Sequence, residues 1–125
     1  MGQLTLTHTY GLQQPGYGIV TADFNGDGNL DLAVLGVDST NEYWSYSIFL
    51  GNGDGSFQSP VTYSQNVLAG TTFGPDAIVV ADFNGDQRFD LAVAVPEDHS
   101  LAVLLGNGDG TFASPIYYYD AGNTT

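Results

Sequence analysis

A chain of 125 residues, 42% hydrophobic and without cysteine, has the apolar content of one small folded domain, which excludes a disordered chain, disulfides and thiol chemistry. Fourteen acidic residues against one basic residue, Arg88, give a net charge of −13 and set nucleic acid and anionic membranes aside as partners. No apolar run is long enough to span a bilayer as a helix.

In chain order, residues 4–10, LTLTHTY, alternate apolar and polar as a half-buried strand does, and residues 11–18, GLQQPGYG, break it. No signal peptide is visible in this polar start, and its abrupt Met-Gly reads as the beginning of an excised or engineered piece. A strand over 18–22 then enters DFNGDGNLD, residues 23–31, which places side-chain oxygens at its positions 1, 3, 5 and 9: Asp23, Asn25, Asp27 and Asp31. A hard cation of calcium size takes about six to eight oxygen ligands, and a glycine-containing loop with this spacing can supply several of them. The backbone carbonyl of Asn29, at position 7, is the expected fifth protein ligand. An EF-hand would need Glu at position 12 and a helix on each side, but Val34 stands there and both flanks are short β-type runs. The loop therefore joins two adjacent strands.

A second strand over 30–35, a polar and aromatic connection over 36–44 and a third strand over 45–50 follow. The turn GNGDGSFQSP, residues 51–60, is expected to draw positive φ angles from its glycines and asparagines, and Pro60 opens a fourth strand over 60–64. The second unit repeats this grammar, with strands over 77–82, 89–95, 100–105 and 115–120 and the turn again at 106–110. Its loop, DFNGDQRFD at residues 82–90, offers Asp82, Asn84, Asp86, Asp90 and the carbonyl of Arg88. Here Gln87 replaces the glycine of position 6, at a cost of about 1 kcal/mol if the backbone is left-handed. With Arg88 beside it, the second site is expected to be the weaker. Sixteen residues from Leu35 to Leu50 correspond to twelve from Ala94 to Leu105, so the first unit carries a four-residue insertion between its second and third strands.

Four strands per repeat of about sixty residues is the pattern of a β-propeller blade. The DFNGDG-type loop, the LDLAV strand, the GNGDGTF-type turn and a Tyr-bearing last strand, together spanning about 17–119, resemble FG-GAP or VCBS repeats of integrin-type propellers. The resemblance implies an all-β fold of two four-stranded antiparallel blades, 17–66 and 67–125, each with a calcium site between its first two strands. It also implies an extracellular, secreted, non-catalytic calcium-binding protein with about two Ca2+ per chain. Two blades cannot close a propeller alone, so a ring of six or eight blades formed by a trimer or tetramer of the chain is expected. The N-terminal segment 1–16 makes a ninth candidate strand, a candidate for exchange between subunits.

Up-and-down topology puts the metal loops and the GNGDG turns at one end of the blades. The other end collects Tyr17, Tyr43, Trp44 and Phe73, which either stack on sugar rings or a protein partner or plug the blades. Three functions fit: a self-assembling scaffold or adhesion unit, a lectin-like module, and an accessory region of a secreted polysaccharide-degrading enzyme. His8 and His99 stand without catalytic partners, and Asp54 and Asp109 are expected to hydrogen-bond within their turns.

Overall fold

The computed structural model describes residues 16–37, 43–68, 77–95 and 100–119. They form two four-stranded sheets ordered β1-β2-β3-β4 and β5-β6-β7-β8, with no helix. The first holds β1 (Gly16–Ala22), β2 (Asp31–Val37), β3 (Tyr43–Phe49) and β4 (Val61–Leu68). The second holds β5 (Ala77–Ala81), β6 (Asp90–Val95), β7 (Ser100–Leu104) and β8 (Ile116–Tyr119). Every neighbouring pair is antiparallel, the arrangement that short connections between consecutive strands permit. The expected ninth strand over 4–10, with its exchange between subunits, lies outside the described residues, as do Phe73, His8 and His99.

Strand pleating sorts each blade into two faces. On one face of the first sheet, Ala33, Leu35 and Val37 of β2 sit opposite Ile48, Tyr46 and Trp44 of β3. This face packs onto Ile78, Leu91, Val93, Val95, Ala102 and Leu104 of the second sheet, and the two sets form one continuous core. Phe112, beyond the second turn, stands edge-on to both Phe24 (5.5 Å) and Tyr46 (5.9 Å) and ties the sheets together. Tyr46 stacks on Tyr63 at 5.0 Å, and burial, then the neighbouring Tyr63, raise its phenol well above the ordinary range, so it remains neutral.

The packing is head-to-tail. Leu91 and Val93, which face the first blade, occupy the repeat positions of Leu32 and Val34, which face away from the second blade. Each blade thus buries a different one of its two faces.

The insertion lengthens the β2–β3 hairpin rather than only its connection. The last described rung of the second blade, Val95 with Ser100, matches Gly36 with Ser45, and the first blade adds one more, Val37 with Trp44. Tyr43 and Trp44, expected in the connection, are therefore strand residues. Truncating a fully buried residue of this core, Leu35→Ala, is expected to lower unfolding stability by about 2–5 kcal/mol in urea denaturation.

Candidate metal centre

Each loop is curled around its first aspartate. Asp23 Oδ1 accepts hydrogen bonds from the N–H groups of Gly26 (2.8 Å) and Asp27 (3.2 Å), and its Oδ2 from Gly28 N–H (2.8 Å). Asp82 repeats the pattern with Gly85 (2.8 Å), Asp86 (3.1 Å) and Gln87 (2.8 Å). The Gln87 N–H above all, with the other amides, holds the exposed Asp82 carboxyl below its ordinary value. At position 5, Asp27 and Asp86 accept the N–H of Asn29 and Arg88, each at 2.9 Å.

The aspartate of position 9 does something different. Asp31 is fully buried, and its Oδ2 accepts Phe24 N–H (2.8 Å) while its Oδ1 accepts Gly51 N–H (2.8 Å). Asp90 does the same with Phe83 (2.9 Å) and Gly106 (2.8 Å). One carboxylate thus joins the loop's entry, the start of a strand and the turn beyond the next strand. Each of its oxygens keeps a second lone pair for a cation.

The loops fit a hard cation on two observations. Asn25 Oδ1, at position 3, is buried with no hydrogen-bond partner among the described residues, and a buried acceptor left unpaired costs about 1–3 kcal/mol. A cation would satisfy it. In the second loop, Asp82, Asp86 and Asp90 each bring a carboxylate oxygen to within 4.8 Å of the other two, the only such acidic trio among the described residues. In the first loop the Asn29 amide sits 3.5 Å from Asp27 Oδ2. Asn84 is exposed, and Arg88 lies over Gly108 in the neighbouring turn. Its charge adds, after the hydrogen bonds from Thr111, to the lowering of the Asp109 carboxyl.

Gln87 is left-handed, with φ of 70°, the one non-glycine residue with positive φ among those described. The turns correct one expectation. Their positive φ angles fall on Gly53, Gly55, Gly108 and Gly110, and not on Asn52 or Asn107. Gly51 and Gly106 serve instead as close-approach points, since a Cβ there would stand 2.0 Å from Leu30 O and 2.1 Å from Phe89 O. Reasoning from sequence passed over this role, although both glycines recur at matching places. Asp54 and Asp109 bond within their turns, accepting from Ser56 N–H (3.0 Å) and Thr111 N–H (2.9 Å).

Of the four aromatics expected at the opposite end, the side chains of two, Tyr43 and Trp44, are among those described. Trp44 is fully buried in the core, because the added rung carries it onto the face shared with Tyr46, and its Nε1 has no partner among the described residues. Tyr43 is half-buried. Tyr17 lies in β1, but its side chain, like Phe73, is outside what is described.

A family model for an FG-GAP-like repeat matches residues 23–93, more than half of the chain, from the first residue of the first loop to just past the second. The chain belongs to the FG-GAP-like repeat family. No curated protein and no solved structure matches it. FG-GAP repeats are interaction modules of the β-propeller type, typically non-catalytic and found in extracellular proteins, and they bind calcium in general. No helix among the described residues is long and apolar enough to cross a membrane.

Two substitutions separate the roles within these FG-GAP loops. Asp31→Asn turns an amide donor toward a buried N–H and is expected to remove about 1–3 kcal/mol of stability even in EGTA, as read by thermal denaturation. Gln87→Gly relieves a left-handed residue and is expected to add about 1 kcal/mol in the same assay.

Proposed function

We propose that this FG-GAP pair is a secreted, calcium-stabilised and non-catalytic scaffold or adhesion unit that assembles head-to-tail with copies of itself. The observation that carries the reading is the outer face of the second blade. It repeats the side-chain positions that the first blade buries, but leaves them in water. Phe24 is 4% exposed and its counterpart Phe83 48%; Tyr46 is 3% exposed and its counterpart Leu101 42%. Val79, Ile116 and Tyr118 are exposed beside them, making an apolar face of a kind soluble single chains avoid. A second copy supplies the matching surface, and repetition of one heterologous contact closes a ring. Three copies give six blades and four give eight.

Two calcium ions per chain, bound by Asp23, Asn25, Asp27, Asp31 and the Asn29 carbonyl, and by Asp82, Asn84, Asp86, Asp90 and the Arg88 carbonyl, fit this role. The unpartnered Asn25 Oδ1 and the converging second-loop carboxylates support them. The ions would offset part of a net charge of −13 that otherwise opposes both folding and association. Affinities of about 10⁻⁴ to 10⁻³ M would suit calcium outside a cell, with the second site the weaker. The burial of Trp44 weighs against a lectin-like face.

Light scattering after size exclusion tests the reading. In millimolar calcium a trimer or tetramer is expected, and in EGTA it should dissociate, with a lower melting temperature. A single chain whose mass and melting temperature ignore EGTA would overturn both halves of the proposal.

A further inference from the structure

The two metal loops differ in what covers them. The first is clasped by the turn of the next blade: Gly110 N–H donates to Phe24 O at 3.1 Å, and Phe112 stands edge-on to the Phe24 ring. Gly110 fits there because it carries no side chain, since a Cβ would stand 3.2 Å from Leu50 Cδ2 and 3.7 Å from Asn25 Cβ. The second loop has the same grip, Phe83, a residue 48% exposed. The first turn has the same pair, Gly55 and Phe57; Phe57 is half-buried and edge-on to Phe49 of its own chain at 6.4 Å, and nothing lies within 4 Å of a Cβ placed at Gly55. Within one chain there is one clasp closed, one loop open at the far end and one turn open at the near end.

Resting on the head-to-tail reading above, we propose that the second loop is completed by the first turn of a second copy: Gly55 N–H of the partner subunit docks on Phe83 O, and Phe57 of the partner subunit packs on the Phe83 ring. The occupant is a copy of this chain because the 51–57 and 106–112 segments share their sequence grammar and backbone. Both carry two left-handed glycines at the same places, a first glycine pressed on the preceding loop, and a bridge from that glycine to the phenylalanine. The contact is therefore the internal one, repeated between chains. It follows that the second loop lacks, in a lone chain, the cover that the first loop has, and gains it on assembly. Calcium binding at residues 82–90 and subunit association then strengthen each other by one and the same factor.

The two ends can be blocked one at a time. Phe83→Glu blocks the far end; Phe57→Glu blocks the near end, and Ile19→Glu, at a residue 59% exposed on the outward face of the first blade, blocks that same end without touching the turn. Circular dichroism checks that each variant is folded, and light scattering in calcium reads its mass. Each variant alone is expected to run as a single chain. An equal mixture of Phe83→Glu with Phe57→Glu or Ile19→Glu retains one intact contact and is expected to run at twice that mass and no higher. Diluting the wild type to single chains is expected to weaken the second calcium step on the order of tenfold and leave the first unchanged, by calorimetry. Folded variants that keep the wild-type mass, or a mixture that stays single, would overturn the clasp while leaving self-assembly standing. A wild type that is single in calcium would overturn the assembly reading and the clasp with it.

Discussion

The fold depends on one arrangement made twice: a buried carboxylate, Asp31 or Asp90, accepting one backbone N–H on each oxygen. A carboxylate with no water around it is costly unless charge-assisted hydrogen bonds replace its hydration. Here they do, and the replacement fixes geometry. The amide of Phe24 or Phe83 pins the loop to its entry, and the amide of Gly51 or Gly106 pulls the far turn under the loop. The turn can come so near only because its first residue has no Cβ. Loop, strand start and turn are thus one unit, and a cation bound in the loop would also bear on the turn that meets the next blade.

Much of this was legible in the sequence because its signals are local. Oxygen-bearing residues at alternate positions, short Val- and Ala-rich runs and paired GNGDG turns located both loops and all eight described strands, to within about two residues except at the end of β4, which runs four residues further, to Leu68. What was not legible is set by distance in the chain. Gly51 reads as a turn glycine until Leu30 O, twenty-one positions earlier, is seen against it. Trp44 reads as a connection aromatic because Glu42 and Asn41 precede it and strand propensity fades there. Only the register Val37 with Trp44 moves it into the core. The partner of Phe24 is a phenylalanine in the other repeat, which no local pattern announces.

The two blades are similar but not interchangeable, and the difference says what kind of seam each would make. On the face that the second blade turns to the first stand Ser100, Ala102, Tyr117 and Tyr119; at the matching places on the outward face of the first stand Ser45, Ser47, Thr62 and Ser64, of which Ser45 and Ser47 are already buried. Ser47 and Thr62 already satisfy one another, their hydroxyl oxygens 2.7 Å apart. A hydroxyl pair satisfied in this way can be covered without leaving polar groups stranded, yet serine and threonine offer less apolar area than tyrosine.

The inner strands add a second difference. Within the chain Gly18 faces Ile78, so closely that a Cβ would stand 3.3 Å from its Cγ2. Between chains the matching pair would be Ala77 and Ile19, with one methyl group more to fit. The seam inside the chain is therefore the tighter and more apolar, and a seam between chains would be shallower, more polar and opposed by the acidic charge of both partners. Such a contact would gain less from apolar burial than the seam inside the chain. Charges neutralised at its edge would then weigh more in it, and the loop beside Phe83 is where they would be neutralised.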